Sequence, residues 1–376
     1  MNYDGVRDVR VVVVGAGQAG LSAAFHLRRT GHTPDRDFVL LDHAPRPGGA
    51  WQFRWPTLTY GRVHGMHALP GMELTGADPD RPSAEVIGGY FDSYEHAFDL
   101  RVHRPVHVSA VRDDGAGRLL VETSEGVYRT QTLISATGTW DRPFWPRYPG
   151  QADFRGRQLH TADYPGPDLF AGQRVMVVGG GTSAVQHLLE ISEVAAGTVW
   201  VTRRPPVFRD GPFDQEQGRA AVALVADRVR RGLPPRSVVS VTGLPMTEAM
   251  ARARAAGILD RMPVFDRITP GGARWAPGRI TGTPRPPMRV TEDGGRAVDL
   301  DVILWATGFR AAVDHLAPLK LREPGGGIAV EGTRAVRDPR IHLVGYGPSA
   351  STVGANRAGR AAVHDIGQLL GAPVPA

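Results

Sequence analysis

Three apolar and helical segments near the beginning of the chain set the pattern for the fold. Val11 to Val14 is an uninterrupted apolar run, which predicts a strand buried on both faces of a parallel sheet. A helix is predicted from about Gln18 to Thr30, and a second short apolar strand follows at Phe38 to Leu41. A strand, a helix and a strand in this order predict a Rossmann-like βαβ unit in an α/β fold.

Glycines and an acid occupy the positions of this unit that contact a dinucleotide. Gly15, Gly17 and Gly20 have GxGxxG spacing. The first glycine permits a sharp turn, the second lets the backbone approach a pyrophosphate, and the third lets the helix pack close to the strand. The helix that begins near Gln18 directs its N–H groups at that phosphate. Asp42 ends the second strand, where a carboxylate accepts hydrogen bonds from a ribose hydroxyl. The sequence therefore predicts an adenine dinucleotide site.

A second unit with the same pattern begins at the predicted strand Arg174 to Val178. Gly179 to Ala184 reads GGGTSA, a GxGxSA turn, and a predicted helix follows it. The ribose strand of this unit is Val199 to Thr202, and the next two residues are Arg203 and Arg204, not an acid. Arginine at this place is suited to a 2′-phosphate. The second site is therefore predicted to bind NADPH in preference to NADH.

Shorter patterns predict further elements between these units. A proline at the start and an apolar stripe predict a helix at Pro82 to Leu100. A small antiparallel meander is predicted from three segments, which are Val102 to Val111, Leu119 to Thr123 and Val127 to Thr130. The tripeptide Ala-Thr-Gly ends an apolar strand twice, at Ala136 to Gly138 and at Ala306 to Gly308. This repetition predicts two crossings between domains.

The segment of about 210–285 lies among proline-rich connectors and is predicted to be a helical insertion. Its helices are expected at about Phe213 to Arg231 and Thr247 to Arg261. A last strand and helix, Ile341 to Val344 and Val353 to Leu370, return the chain to the first domain. The predicted domains are therefore residues 1–150 with 304–376, and residues 151–303 inserted between them.

Composition adds mainly exclusions. The chain of 376 residues has no cysteine, which excludes disulfides, thiolate metal sites and dithiol redox chemistry. Its net charge is +6, but Lys320 is the only lysine among 44 basic residues and the arginines are scattered, so no nucleic acid is expected as a partner. No apolar run approaches the roughly 20 residues that cross a bilayer, and the N-terminus lacks the apolar core of a signal peptide. A cytoplasmic protein without membrane or metal partners is expected.

A third motif lies ten residues before the second glycine-rich unit. Phe154 to Tyr164, FRGRQLHTADY, matches F-x-G-x-x-x-H-x-x-x-Y. Together with GGxW at Gly48 to Trp51, the two glycine turns and the two Ala-Thr-Gly tripeptides, it resembles the class B flavoprotein monooxygenases over almost the whole chain. The final tyrosine is similar to the flavin-containing monooxygenase branch, because Baeyer–Villiger monooxygenases usually have tryptophan there. The chain looks especially like small bacterial members of that branch, which oxidise sulfides and some ketones.

This resemblance implies FAD in the first site and NADPH in the second. In that family NADPH reduces FAD, O2 adds at the flavin C4a atom, and bound NADP+ shields the resulting (hydro)peroxyflavin until a small sulfide, amine or ketone is oxygenated. The candidate catalytic residues are Trp51, His160 and Tyr164, of which His160 is expected to order the interdomain linker rather than act as a base. The positions expected to contact the cofactors, besides Trp51, are Gly15, Gly17, Gln18, Gly20, Asp42, Gly49, Ala136, Thr137, Gly138, Gly179, Gly181, Thr182, Ser183, Arg203, Arg204, Ala306, Thr307, Gly308 and Gly345.

Several alternatives stay open at this point. An NADPH-dependent flavin reductase that passes electrons to a quinone or a protein would have both dinucleotide units, whereas a flavin-binding sensor would not need the second. Two departures from the family pattern matter. No asparagine follows the GGxW loop between Trp51 and Gly71, which leaves the substrate open, and no aspartate follows the last strand, where Gly345 to Pro348 must contact the ribityl chain through backbone. A homodimer, the family's usual state, is possible.

Overall fold

The computed structural model describes residues 5–63, 66–209, 215–235, 243–281 and 288–371. The chain forms two compact units. Unit 1 consists of Met1–Asp141, Arg219–Val238 and Ala311–Ala376, and unit 2 of Arg142–Gly218 and Val239–Arg310. The breaks after Asp141 and after Arg310 each come shortly after an Ala-Thr-Gly tripeptide. Because the segment Arg219–Val238 also belongs to unit 1, the chain passes between the units four times, whereas the sequence predicted two crossings. The domain boundaries predicted at residues 150 and 303 stay predictions.

The helices and strands alternate along most of the chain. The helices are α1 (Gln18–Arg29), α2 (Ser83–Ala97), α3 (Thr182–Ser192), α4 (Gln215–Arg230), α5 (Glu248–Ala255) and α6 (Thr352–Leu369). The strands are β1 (Arg7–Val14), β2 (Phe38–Leu41), β3 (Val102–His103), β4 (Val108–Asp113), β5 (Leu119–Thr123), β6 (Gly126–Ser135), β7 (Arg157–His160), β8 (Arg174–Val178), β9 (Gly197–Thr202), β10 (Phe208–Arg209), β11 (Leu244–Pro245), β12 (Arg261–Pro263), β13 (Arg267–Thr269), β14 (Gly272–Trp275), β15 (Arg289–Val290), β16 (Arg296–Asp299), β17 (Val302–Trp305), β18 (Val330–Glu331), β19 (Arg334–Ala335) and β20 (Asp338–Leu343).

The valine run at the end of β1 forms the centre of unit 1. In the strand order β18-β19-β20-β6-β1-β2-β3, β1 pairs in parallel with both β2 and β6. Val11 and Val13 pack with side chains of α1, α2 and α6, whereas Val12 and Val14 pack on the other face with residues of β4 and β5. Because both faces are covered, every one of these valines is buried, which explains why the run has no polar alternation.

The predicted meander differs from the structure at both of its ends. Val102 begins a separate short strand, β3, that pairs in parallel with β2, and the antiparallel part starts only at Val108. The segment predicted at Val127 to Thr130 and the apolar strand predicted before the first Ala-Thr-Gly tripeptide form one strand, β6. Its first half pairs with β5 and its second half pairs with β20. The apolar pattern breaks at Gln131, but a strand with two sets of neighbours needs no uniform pattern.

Unit 2 contains a second parallel sheet, with the strand order β12-β9-β8-β17-β7. Side chains of β8, β9 and β17 form one core with Phe154, Phe265 and Trp275. Val175 and Val177, on alternate positions of β8, are fully buried as well. The architecture is therefore α/β with two Rossmann-like sheets, and the residues of unit 2 are inserted in the sequence of unit 1, as predicted.

The segment predicted as a helical insertion is only partly helical. From Arg219 onward, helix α4 belongs to unit 1, where Val229 is buried in the core beside the sheet. Helix α5 ends at Ala255, six residues before the predicted end at Arg261. Arg261 belongs instead to β12, the edge strand of the unit 2 sheet. Strands β13 and β14 continue into an antiparallel sheet with β15 and β16. Part of the predicted helix near Phe213 lies outside the described residues.

None of the described helices combines the length and the apolar character that a membrane span needs.

Two buried histidines are expected to make the folded protein less stable in acid. Burial lowers the pKa of His315 and of His342 to about 4, with smaller contributions from the charges of His107 and Arg334. Because the unfolded chain binds these protons from about pH 6.5, their contribution is complete above that pH and declines toward pH 4. We expect the free energy of unfolding to fall by about 2 kcal/mol per histidine between pH 7.5 and 5.0.

Denaturant unfolding at these two pH values measures the effect. His315→Asn and His342→Asn are each expected to reduce the difference between pH 7.5 and 5.0. His364 is exposed on α6, so His364→Asn serves as the matched control and should leave the difference unchanged. Equal pH dependence in all three variants would contradict the assignment of the acid sensitivity to the buried imidazoles.

Candidate dinucleotide sites

The glycine turn after β1 is closed so tightly that two of its positions have no room for a side chain. Gly15 has φ of +100°, and a Cβ atom there would lie 2.6 Å from the Ala136 carbonyl oxygen. A Cβ atom on Gly20 would lie 1.7 Å from the Gly15 carbonyl oxygen. These glycines therefore let the first helix and the Ala136 backbone approach the turn, as the spacing predicted.

The middle glycine faces a different neighbour. Gly17 is the N-cap residue of α1 and has ordinary φ of −83°, and no side chain caps the N–H groups of the first helical turn. The GGxW loop lies against it, because a Cβ atom on Gly49 would come within 2.8 Å of the Gly17 Cα atom. Uncapped N–H groups at the positive end of a helix form a site for a phosphate. This geometry fits the pyrophosphate of a dinucleotide.

Asp42, the acid predicted to bind the ribose in unit 1, is buried, and one of its carboxylate oxygens has no hydrogen-bond partner in the described chain. Oδ1 of Asp42 accepts a 3.3 Å hydrogen bond from the Ala44 N–H, but Oδ2 is buried without a hydrogen-bond partner in the described chain. Nη2 of Arg104 lies 3.6 Å from Oδ2, and the Arg104 guanidinium is already bound by Glu95 through both carboxylate oxygens. Burial raises the pKa of Asp42, against the N–H of Ala44 and the charge of Arg104. An unpartnered acceptor here fits a ribose hydroxyl.

Gln18 and Asn356 connect three segments around this turn. Nε2 of Gln18 donates to Oδ1 of Asn356 at 2.9 Å, and Nδ2 of Asn356 donates to the carbonyl oxygen of Ala68 at 2.8 Å. Oε1 of Gln18 is buried without a partner in the described part of unit 1. Asn356 was missed in the sequence, because it lies on α6, far from the motif that it supports. Asn356 is close to the glycine turn only in the folded chain, so no sequence pattern could identify it.

The remaining predicted positions of unit 1 surround the same turn. Thr137 donates from Oγ1 to the Ala312 carbonyl oxygen at 2.7 Å, which ties the first Ala-Thr-Gly tripeptide to the returning chain, and Gly138 has φ of +61°. Gly345, just after β20, has φ of +70°, and a Cβ atom there would be 3.4 Å from Ala19 of α1. Trp51 lies half-buried in the short 3-10 helix Gly49–Phe53.

Unit 2 repeats the arrangement with its own residues. Gly179 has φ of +151°, and a Cβ atom there would be 2.1 Å from the carbonyl oxygen of Ala306, which begins the second Ala-Thr-Gly tripeptide. Gly181 caps α3 without a side-chain hydrogen bond and has open space around its Cα, so Thr182 and Ser183 present a free helix N-terminus. The structure adds Trp200, whose Nε1 donates to the Gly179 carbonyl oxygen at 2.7 Å.

The ribose end of unit 2 carries cations. Arg203 and Arg204 are exposed, and neither has a carboxylate within ion-pair distance in the described ranges. The neighbouring strand β12 supplies Arg261, which donates to the carbonyl oxygen of Thr202 at 3.3 Å and to its hydroxyl at 3.1 Å. The hydroxyl of Thr202 in turn donates to the Arg204 carbonyl oxygen at 2.8 Å. Arg261 thus stabilises the turn that contains Arg203 and Arg204. This role depends on the pairing of β12 with β9, so it could not be predicted from the sequence.

Residues of the motif Phe154 to Tyr164 contact the core and a helix of unit 2. Phe154 is buried in the core, and a Cβ atom on Gly156 would lie 2.4 Å from the Asp301 carbonyl oxygen, so glycine is needed where the chain enters β7. Tyr164 is buried against His187, and its hydroxyl donates to Glu190 on α3 at 3.0 Å. These contacts join the edge strand of the sheet to its centre and to the following helix.

His160 has both ring nitrogens engaged. Nε2 donates to the Gly308 carbonyl oxygen at 3.1 Å, and Nδ1 accepts from the Ala162 N–H at 3.1 Å, which assigns a neutral imidazole with its proton on Nε2. Burial lowers the pKa of His160. The ring is fully buried and leaves no nitrogen to take up a substrate proton. This geometry favours the linker-ordering role for His160, and burial that raises the pKa of Tyr164 argues against proton transfer there.

Within the described ranges, no three side chains of His, Asp or Glu come together in a way that could hold a metal ion.

The chain has two Rossmann-like sheets, each followed by a glycine turn that suits a phosphate. The expected ribose position has an acid in unit 1 and arginines in unit 2. These features define the class of two-dinucleotide oxidoreductases. The family model described as pyridine nucleotide-disulphide oxidoreductase matches residues 12–215, more than half of the chain, and the chain belongs to this family, in its flavin monooxygenase group. The disulphide in the family's description does not apply to chemistry within this chain, which has no cysteine.

Several known proteins are similar to the chain. A flavin-containing monooxygenase from Stenotrophomonas maltophilia has a TM-score of 0.79 and 34% identity, over 97% of this chain and 100% of that one. The probable indole-3-pyruvate monooxygenase YUCCA8 of Arabidopsis thaliana is 30% identical over 81% of this chain and 75% of that protein. The chain spans about half the length of the uncharacterized oxidoreductase CzcO of Bacillus subtilis, with 31% identity over 48% of this chain and 51% of that one. The OTEMO complex with FAD and NADP, at 19% identity and a TM-score of 0.60, shares the fold.

Proposed function

We propose that this protein is an NADPH-dependent FAD monooxygenase that transfers one oxygen atom from O2 to a small sulfide or amine, or to a ketone. The observation that carries the proposal is the contrast between the two ribose ends. Among the described residues, Oδ2 of Asp42 in unit 1 is buried without a hydrogen-bond partner, and the exposed Arg203 and Arg204 of unit 2 have no carboxylate within ion-pair distance. One chain therefore has a site for a dinucleotide without a 2′-phosphate and a site for one with it.

The residues of the chain bind and orient, while the bound flavin supplies hydride acceptance and O2 activation. Gly15, Gly17 and Gly20 would let the backbone and the N-terminus of α1 hold the pyrophosphate of FAD, and Asp42 would accept a hydrogen bond from its ribose. In unit 2 Gly179 and Gly181 form the corresponding turn for NADPH. His160 holds the Gly308 carbonyl and so positions the second Ala-Thr-Gly tripeptide.

Oxygenation, in preference to electron transfer to a quinone or a protein, is supported by the names of the similar proteins, several of which are monooxygenases. The absence of cysteine removes the dithiol route that reductases of this family name use. The proposal takes the substrate to be small, and sulfides, amines and cyclic ketones form the set to test. A homodimer is part of the proposal and is expected to have twice the chain mass of 40.5 kDa in light scattering.

Isotope labelling distinguishes the proposed reaction from the reductase. Purified enzyme with FAD, NADPH and labelled oxygen gas is incubated with methyl phenyl sulfide, a tertiary amine or a cyclic ketone, and products are analysed by mass spectrometry. We expect one labelled oxygen atom per product and one NADPH consumed per product. NADPH consumption that yields only hydrogen peroxide with every substrate, together with rapid reduction of a quinone, would refute the monooxygenase and favour the reductase.

A further inference from the structure

Arg54 is a cation enclosed by aromatic rings in the loop after the glycine pair. It directly follows the 3-10 helix Gly49–Phe53, which abuts the pyrophosphate turn through Gly49. Its guanidinium carbon lies 5.4 Å from the ring centroid of Trp51 and 4.7 Å from that of Trp140. Phe53 stacks on Trp140 with ring centroids 6.1 Å apart and planes 10° apart, which extends the aromatic wall. All of these residues belong to unit 1.

Among the described residues, this cation has no counter-ion. Nε of Arg54 is buried and has no hydrogen-bond partner, and no carboxylate lies within 4.0 Å of the guanidinium in the described part of the chain. Burial lowers the pKa of Arg54 to about 10, so the side chain is still charged at neutral pH. Cation–π contacts offset only part of the cost of removing an arginine from water. Arg104, a half-buried arginine of the same unit, has the bidentate partner Glu95 that Arg54 lacks.

The geometry limits what can neutralise the charge. With tryptophan rings near the guanidinium, the N–H groups at its edge are the part left for a ligand. The planar fork of arginine matches the paired oxygens of a carboxylate or a phosphate. A neutral ligand would leave the charge uncompensated, and a second cation would be repelled.

We propose that Arg54 is a receptor for an oxyanion of a bound small molecule, either a phosphate of one of the dinucleotides or a carboxylate of the substrate. Both sources present the same chemistry to the fork of N–H groups. The connection of Arg54 to the helix that touches Gly17 is compatible with a cofactor phosphate, and the surrounding Trp51, Phe53 and Trp140 are compatible with an aromatic acid. Binding of an oxyanion at Arg54 does not depend on whether the enzyme is an oxygenase or a reductase.

Three binding assays on Arg54→Gln test the receptor and identify the source. The Kd for FAD is measured with apoprotein by flavin fluorescence, and the Kd for NADP+ with FAD-loaded enzyme by difference absorbance. The third assay compares phenylacetate with uncharged phenylacetamide on the FAD-loaded, NADP+-bound enzyme by calorimetry. We expect the Kd to rise at least about thirtyfold in one arm. Loss in the FAD or NADP+ arm identifies a cofactor phosphate, whereas loss for phenylacetate but not phenylacetamide identifies a substrate carboxylate.

Arg46 supplies the matched control, because it is exposed in the same loop and carries the same charge. Arg46→Gln is expected to leave all three Kd values within about twofold of wild type. Arg54→Lys keeps the charge but loses the fork, so it should weaken the same arm by at least about fivefold, and it replaces Arg54→Gln if that variant does not fold. Unchanged Kd values in all arms for a folded Arg54 variant would overturn the proposal.

Discussion

Alanine at position 17 is expected to abolish FAD binding at ordinary concentrations while the apoprotein keeps its fold. The Cβ atom of Gly17→Ala would lie 3.8 Å from the Gly49 Cα atom, an ordinary van der Waals distance, and φ of −83° suits any residue. The same methyl group would occupy the space between the helix N-terminus and the pyrophosphate. We expect the Kd for FAD to rise at least about 100-fold, which is about 2.7 kcal/mol. Flavin fluorescence measures the Kd, and thermal unfolding of the apoprotein measures the fold.

Gly20→Ala supplies the contrast, three residues further along the same helix. Its Cβ atom would lie 1.7 Å from the Gly15 carbonyl oxygen, so the helix cannot keep its position on the sheet. We expect this variant to be destabilised by more than about 4 kcal/mol, in the range of severe core changes, and to be recovered poorly. If Gly17→Ala binds FAD as tightly as wild type, the pyrophosphate does not approach the backbone at this glycine, and the assignment of the turn is wrong.

Replacing both Arg203 and Arg204 with glutamine is expected to weaken NADPH binding at least about tenfold, or about 1.4 kcal/mol, while NADH binding hardly changes. The two guanidinium groups are exposed and lack ion-pair partners in the described residues, so their removal breaks no internal contact of unit 2. The 2′-phosphate is the only group that distinguishes the two coenzymes, and its charge would lose its partners. FAD-loaded enzyme is titrated with NADP+ and with NAD+, which have the same adenosine ribose groups as NADPH and NADH and do not reduce the flavin, and the two Kd values are compared.

The control removes the same charge from the opposite edge of the same sheet. Arg155 and Arg157 are exposed at the amino end of β7, whereas Arg203 follows the carboxyl end of the parallel strand β9. Arg155→Gln with Arg157→Gln should leave the ratio of the NADPH and NADH affinities unchanged. Equal losses for both coenzymes in the Arg203→Gln, Arg204→Gln variant would show that the pair acts through general charge, and the preference for NADPH would then have another origin.

The parts that sequence reasoning predicted well depend on local rules. The bounds of β2 and β8 agree residue for residue with the predicted strands. All four residues of β2 and the last four of β8 are apolar and buried, and such a run is a local signal of a strand covered on both faces. The glycine positions agree as well, since positive φ and close approach admit no other residue at Gly15 and Gly179. In each of these cases a few consecutive residues contain the physical reason for the structure.

The errors arose where the partner strand or core is distant in sequence. Arg261 was predicted to end a helix, but in the structure it begins β12, which pairs in parallel with β9. Val229 is on a helix that the sequence assigned to an insertion, yet its side chain is buried in the core of unit 1. Propensity over a short window does not contain these contacts, and tertiary packing outweighs it.

The sequence alone thus determined the two dinucleotide units, their order along the chain and the charge expected at each ribose, because spacing and residue type carry that information. The tertiary structure decided the state of the groups that act there. Within the described ranges, it showed that Oδ2 of Asp42 lacks a hydrogen-bond partner, that both nitrogens of His160 are engaged, and that no carboxylate lies near Arg54. Burial and hydrogen bonding set the chemistry of an ionisable side chain, and both depend on neighbours that folding brings from elsewhere in the chain.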